Sequence, residues 1–245
     1  MNDMHSNINY TNEIQGEIQG GTITALAPIN NSIQKNRILQ KIEDGAKRTI
    51  DLLGSFAGIM ALIPLTIILY IVKLIHKDKG PLFYSQLRIG KNGKLFRMWK
   101  FRSMVVGADE KLEEYLKENE EAREEYRINK KLKNDPRITK MGHFIRKTSL
   151  DEFPQFINVL KGEMSLVGPR PYLPREKEDM GSYYTYITKC KPGVTGFWQV
   201  NGRSEVNFEE RLSMDMVYCN DRRFKKDIKL IAATVKKILK KDGAI

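Results

Sequence analysis

Much that would announce a function is missing from this chain of 245 residues. It has only two cysteines, Cys190 and Cys219, and their separation has no metal-ligand spacing. A lone disulfide is one reading of such a pair, and free thiols in a reducing cytoplasm are the plainer one. The three histidines, His5, His76 and His143, stand apart, so neither a Ser/His/Asp triad nor a histidine metal site is indicated. There is no Walker loop, no glycine-rich dinucleotide signature and no internal repeat. Acidic residues do not balance the basic ones: the net charge is +12. Basic proteins seek phosphates, whether in nucleic acid, lipid headgroups or phosphorylated substrates. No nucleic-acid reader motif is present. The stretch from Met1 to Ser32 lacks Lys and Arg altogether. It is polar and unlike a signal peptide, and it is expected to be a disordered tail over residues 1–34.

What the chain does have is one long apolar run. Leu52 to Val72 carries no charged residue, and about 20 apolar residues suffice to span a hydrocarbon core. Basic residues lie on both sides, from Lys35 to Arg48 and from Lys73 to Lys94. Loops rich in Lys and Arg stay in the cytoplasm, so both flanks ask for the same side. Pro64 lies mid-run, lacks an N–H and clashes with the carbonyl of Met60. The pattern therefore predicts a helix-break-helix that enters and leaves one leaflet, with Ser55 and Thr66 helping to satisfy freed backbone groups. A kinked spanning helix is the alternative. Residues 35–79 form this membrane unit, opening with a short surface helix over residues 36–48.

Residues 80–245 read as a separate α+β, helix-rich body. Leu82–Ile89 and Lys94–Arg102 are strand-like around Asn92-Gly93, a hairpin signal. Residues 108–133 read as one exposed helix or a pair, laced with Glu and Lys. Helices are expected over 151–160, 207–218 and 227–241, with a short extended piece over 195–200. The last helix is amphipathic and basic; it suits either a headgroup layer or the body's own core.

Three stretches could carry chemistry. Arg146 to Gln155 places two adjacent carboxylates, Asp151 and Glu152, at a helix start beside Arg146 and Lys147. A helix N-terminus favours anions and keeps a carboxylate ionised, which suits a nucleophile or a Mg²⁺ ligand. The plainer reading is capping, by Ser149 with Glu152 or by Asp151. Gly168-Pro169-Arg170-Pro171 holds Arg170 between two prolines, a good phosphate fork or simply a rigid turn. Lys100-Phe101-Arg102-Ser103 ends the hairpin with two cations, for phosphate or headgroups or as an amphipathic strand end.

Taken in order, these stretches resemble a known family. Lys47-Arg48-Thr49-Ile50-Asp51, Lys100-Phe101-Arg102-Ser103-Met104, Asp135-Pro136-Arg137-Ile138-Thr139, Thr148 to Gln155, Leu160 to Pro171 and Lys191 to Val200 look like the bacterial sugar transferases, the monotopic phosphoglycosyl transferases. The resemblance runs from about Lys41 to the C-terminus. It implies a re-entrant membrane helix, a catalytic domain on the cytoplasmic face of the cell membrane with amphipathic surface helices, and a minimal catalytic form with a tail. It implies transfer of a sugar-1-phosphate from a nucleoside diphosphate sugar, such as a UDP-hexose, to undecaprenyl phosphate, with release of UMP. By match to the family's dyad, Asp151 would be the nucleophile and Glu152 would hold Mg²⁺, with Asp151 adjoining. Arg170 within Pro169 and Pro171, Arg146 and Lys100 would bind phosphate. The implied partners are the donor, the lipid acceptor and an anionic bilayer, without nucleic acid; homo-oligomerisation is left open. Ile63-Pro64 departs from the family's frequent Ser-Pro. The segment after Tyr218 is more basic and less aromatic than usual. A catalytically inactive membrane adaptor is the alternative.

Overall fold

The computed structural model describes residues 27–202 and 206–240, with side chains from residue 38 to residue 238. The expected tail lies outside these residues as far as position 26. The first helix, α1, spans Ala27–Ile75, so it starts before residue 35 and absorbs the expected surface helix. The chain divides into two units between Gly45 and Ala46. The candidate functional residues all lie in the second.

No interruption of α1 occurs at Pro64. Proline removes one backbone bond, to Met60, and a long helix tolerates that loss. Ser55 and Thr66 hydroxyls instead donate to the carbonyls of Leu52 (3.0 Å) and Leu62 (2.7 Å). The spacing of its inward residues explains how α1 packs. Asp51, Ser55, Gly58, Leu62, Leu65 and Leu69 recur at alternating steps of four and three, which places them on one stripe. Asp51, Ser55, Leu62 and Leu69 are buried there, whereas Leu53, Phe56, Ile63, Ile67 and Ile71 are exposed. Gly58 is required by the fit: a Cβ on it would stand 2.3 Å from the ring of Phe156. The residues just before the run latch to the body. Lys47 donates to the Val167 carbonyl (2.9 Å) and pairs with Asp227 (2.6 Å). Arg48 caps the carbonyls of Val159 and Leu160 at 2.8 and 2.9 Å. Asp51 accepts from the Ser165 hydroxyl and the Leu166 N–H.

The hairpin forms as its alternation predicts. β1 (Phe83–Ile89) and β2 (Leu95–Phe101) are antiparallel, with Tyr84 opposite Lys100 and Arg88 opposite Phe96. Asn92 adopts the left-handed conformation at the tip. Phe101 turns to α1, in a cluster with Leu62, Leu69 and Ile145. Phe96 and Met98 pack on Val159 and Met164. The charged stretch is indeed a helix pair, α2 (Ala108–Glu118) and α3 (Glu120–Asn129), with ion pairs Arg123–Glu120 and Arg127–Glu124 on its surface.

Then follow α4 (Lys140–Lys147), a 3₁₀ turn (Leu150–Glu152), α5 (Gln155–Lys161), β3 (Ser165–Val167), α6 (Tyr183–Ile187), β4 (Gly193–Thr195), α7 (Phe197–Asn201), α8 (Phe208–Asn220) and α9 (Phe224–Lys240). β3 and β4 pair in parallel, a link the sequence does not announce because each strand is only three residues long. The expected extended piece at 195–200 is strand only to Thr195; from Phe197 it is helical. Helix α9 packs on the body's own core, the second of the readings offered for it. Asp227 and Leu230 face inward, while Ile228, Val235 and Ile238 are exposed.

Candidate active site

Pro154 shapes the segment that bears the two carboxylates. Without an N–H it cannot bond the carbonyl of Leu150, and the Phe153 N–H takes that carbonyl instead, at 3.2 Å. The chain therefore winds as a tight 3₁₀ turn through Asp151 and Glu152 before α5 begins at Gln155. This corrects the capping readings. Ser149 has no side-chain cap bond and holds a left-handed conformation (φ 56°), and among the described residues the Asp151 side chain accepts from Lys100 and from no backbone N–H. A left-handed serine is a strained corner, and such corners gather at functional sites. Here it folds the end of α4, with Arg146, back beside Asp151.

One side chain aligns this turn with the hairpin. Asn158 of α5 is fully buried. It accepts from the Trp99 N–H (3.1 Å) and donates to the Arg97 carbonyl (2.7 Å) and to Glu163 (2.7 Å). Its amide extends the edge of β2, so the turn preceding α5 comes opposite Lys100 on the same strand. Lys100 Nζ bridges both carboxylates, at 3.3 Å from Asp151 and 3.1 Å from Glu152. Asp151 is 7% exposed, yet neither its second oxygen nor that of Glu152 is sealed off without a partner. Arg102, the other cation of that strand end, is structural: it pairs with Asp78 and donates to the carbonyls of Pro81 and Met104.

Arg146 completes this cluster. Its Nε donates to the Ser103 hydroxyl at 2.8 Å. Burial draws its guanidinium down, against the pull of the Asp151, Asp135 and Glu152 carboxylates. Asp135 itself is taken by Arg137 in a bidentate pair, 2.8 and 2.6 Å. Two adjacent hard-oxygen carboxylates fit Mg²⁺, which keeps several waters and binds through one or two carboxylates plus phosphate. Among the described residues no group of three or more metal-ligating side chains exists, so a closed protein cage is not built here.

Arg170 belongs to a second cluster. No hydrogen bond or ion pair links it to Asp151 or Glu152 among the described residues. Its turn is tied at every step: the Pro169 carbonyl accepts from Gly193 (2.9 Å), the Arg170 N–H donates to Asp215 (2.9 Å), and the Pro171 carbonyl accepts from Arg88 (2.9 Å). Asp215 also accepts from the Tyr172 hydroxyl, at 2.8 Å. Arg170 and Arg211 both lie over Trp198, 5.7 and 5.5 Å from its ring centroid. Burial pulls Arg88 and Arg211 down to about 10, with the Arg170 charge adding to the effect. Burial pushes the Asp215 carboxyl up to about 7, against those hydrogen bonds and guanidiniums. The sequence reading missed Arg88, Arg211 and Asp215. Nothing local in the sequence marks Arg211 as buried; only the structure shows it 1% exposed, where an arginine rarely lies without a partner.

Comparison with known proteins identifies the family. Residues 42–241 match the bacterial sugar transferase family, and the chain belongs to it. It is 47% identical over 198 residues to the UDP-galactose-lipid carrier transferase of Erwinia amylovora, covering 81% of this chain and 41% of that protein. It is 44% identical over 210 residues to the undecaprenyl-phosphate galactose phosphotransferase of Salmonella typhimurium, covering 86% and 44%. It is also 40% identical over 191 residues to the exopolysaccharide production protein ExoY of Rhizobium meliloti, covering 78% and 84%. The chain thus spans less than half the length of the first two and most of the third.

Proposed function

We propose that this protein is a phosphoglycosyl transferase: it moves a sugar-1-phosphate from a nucleoside diphosphate sugar, a UDP-hexose, to undecaprenyl phosphate, an opening membrane step of polysaccharide assembly. The observation that carries the reading is Lys100 bridging two adjacent carboxylates in a half-open turn. Asp151 attacks the phosphorus nearest the sugar. The bond from that phosphorus to the bridging oxygen breaks, and UMP leaves with the electron pair. The sugar phosphate is then held as a mixed anhydride on Asp151. An oxygen of undecaprenyl phosphate attacks the same phosphorus, the carboxylate departs, and the lipid diphosphate sugar forms. Two anions repel, so Lys100 and Arg146 neutralise charge around the reacting phosphoryl group, while Arg170, in its own cluster, would bind phosphate of the donor or the lipid. Glu152, with Asp151 beside it, would hold Mg²⁺, which supplies further neutralisation of the diphosphate when bound.

The proposed membrane placement rests on the packing of α1. The buried stripe from Asp51 to Leu69 covers 18 steps, about 27 Å of helix, against a hydrocarbon core of about 30 Å. A helix crossing the bilayer along that stretch would drag the charged body into the lipid. An insertion confined to the cytoplasmic leaflet would require α1, continuous here through Pro64, to bend where a backbone bond is already lost; it would keep the body in water and both basic flanks on one side. Cysteine labels placed before Lys47 and after Lys79 should react only from the cytoplasmic side; labelling from opposite sides would replace re-entry by a crossing.

The chemical step is tested by mass spectrometry. Incubation with UDP-hexose and no lipid acceptor should add one hexose phosphate to the peptide containing Asp151, with UMP released in equal amount. UMP release that requires the lipid, with no adduct, would mean direct transfer and end the covalent account.

A further inference from the structure

Ser103 stands two residues beyond β2, three past Lys100, and is buried. Its hydroxyl accepts the Nε–H of Arg146 at 2.8 Å. Its carbonyl accepts the N–H of Thr139 at 3.1 Å, and the Thr139 side chain caps the start of α4. Gly142, one turn on, lies so close that a Cβ there would stand 1.8 Å from the Ser103 carbonyl oxygen. One residue thus grips α4 twice: its main chain holds the beginning of the helix, and its side chain holds the arginine at the end.

The grip at Nε decides what the rest of Arg146 can do. A guanidinium is planar, so fixing Nε fixes the plane in which the two terminal nitrogens lie. Those nitrogens have no hydrogen-bond partner among the described residues, and neither is sealed from solvent as an orphaned buried atom. The nearby acids do not claim them. Both oxygens of Asp135 accept from Arg137. One oxygen of Asp151 and one of Glu152 are held by Lys100. A fork of fixed plane, uncommitted and beside the proposed nucleophile, has the geometry that two oxygens of a phosphoryl group require.

We propose that Ser103 is a positioning residue for the transfer: its hydroxyl sets the plane of the Arg146 guanidinium so that the free fork faces a phosphoryl group brought to Asp151. The proposal rests on the transfer reaction above and adds to it a side chain that touches no substrate. Tests use the full chain in lipid nanodiscs. The kcat and KM for UDP-hexose and for undecaprenyl phosphate are measured for wild type, Ser103→Ala, Ser103→Thr, Arg146→Lys and the double variant Ser103→Ala with Arg146→Lys. Ser103→Ala should lower kcat/KM about tenfold, the size expected when a hydrogen bond to a charged group is lost. Ser103→Thr keeps the oxygen and should stay within about twofold of wild type. Lysine has no Nε–H of this kind, so in the Arg146→Lys background the alanine change should add less than about twofold.

An equal loss in both backgrounds, or failure of threonine to rescue, would make Ser103 a packing residue and overturn the proposal. No loss in Ser103→Ala would overturn it as well. The substrate whose KM rises tells whether the phosphoryl group comes from the nucleotide or from the lipid. Should Ser103→Ala fail to fold, Ser103→Cys takes its place, with a weak sulfur acceptor at the same position. Binding of UDP and of undecaprenyl phosphate to the same proteins is followed by calorimetry. A wild type that turns over no donor sinks the transfer reading, and the binding data then decide Ser103 alone: coupling between Ser103 and Arg146 upholds it, and independence rejects it.

Discussion

Asp151 and Asp215 are both buried aspartates with cations for neighbours, and they do opposite things. Asp151 sits in a 3₁₀ turn with one oxygen on Lys100 and Glu152 at its side. Asp215 sits inside α8, fully buried, with Oδ2 holding the Arg170 N–H and the Tyr172 hydroxyl and Oδ1 holding nothing. A carboxylate meant for chemistry needs a charge, a way in, and cations that a substrate can share. One meant for building needs to be closed off. The second region stiffens the turn that carries Arg170; in the proposed reaction the first presents the reacting oxygens. Nearness to arginine does not distinguish them, and solvent access does.

The comparison breaks most sharply at Asp151. Asp151→Asn keeps the shape and removes the proposed nucleophile, and should lower transfer by roughly 10³-fold or more while leaving thermal stability near wild type. The measurement is UMP release set beside a melting curve. Transfer at the wild-type rate would move Asp151 into the building class.

Asp215→Asn should do the reverse: lower stability by about 1–3 kcal/mol through disturbed hydrogen bonds, in a pH-dependent way. The folded carboxyl is pushed up to about 7 by burial, from an ordinary value of 3.8. Between roughly pH 4 and pH 7 the folded state therefore binds more protons than the unfolded one, and the stability this group contributes falls as pH rises through that window. Asparagine does not titrate. The gap in melting temperature between wild type and Asp215→Asn should thus narrow from pH 5 to pH 8. A gap that widens would mean that Arg170 and Arg211 hold Asp215 charged, and the two acids would then differ in access alone.

Gly58→Val sharpens the comparison from the membrane side. The new side chain meets the Phe156 ring in α5, the helix that follows the dyad. Overpacking of this kind costs about 1–3 kcal/mol. Transfer and melting temperature should both fall. In a Trp99→Phe background the emission of Trp198, which reports on the Arg170 cluster, should stay unchanged. A shifted Trp198 spectrum would show that α1 supports both regions.

The two regions were not equally legible in the sequence. Local patterns carried the hairpin, the helix pair and the amphipathic α9, because period and turn residues act within a dozen positions. The dyad was legible because two adjacent acids, two cations and a proline lie within ten residues. Its capping was misjudged: Pro154 does not merely shift an α-helix start but tightens the chain into a 3₁₀ turn. The Arg170 region was half legible. The Pro-Arg-Pro turn can be read from its prolines, but Arg88, Arg211 and Asp215 reach it from β1 and α8, over 40 residues or more of chain. No periodicity records such meetings. Lys100 shows the same limit, since its bond to the dyad depends on Asn158 clasping β2 from a distance of 59 residues.

The smallest effect belongs to Tyr172→Phe, and it tests how the building region is closed. The ring of Tyr172 is held independently of its hydroxyl: it is buried in the cluster with Met180, Ile187 and Leu212 and meets Phe208 edge-on at 5.9 Å. Phenylalanine should keep that packing and lose only the 2.8 Å bond to Asp215, for about 1 kcal/mol. The Arg170 N–H then remains as the sole hydrogen bond to Oδ2. A donor lost from a carboxylate disfavours its charged form, so the titration of Asp215 should move further up. The pH window in which stability declines should widen toward the alkaline side, while transfer changes little. If Tyr172→Phe instead cuts transfer as deeply as a change at Arg170, the hydroxyl is part of the substrate site, and the line drawn between the two aspartates has to pass on the other side of Tyr172.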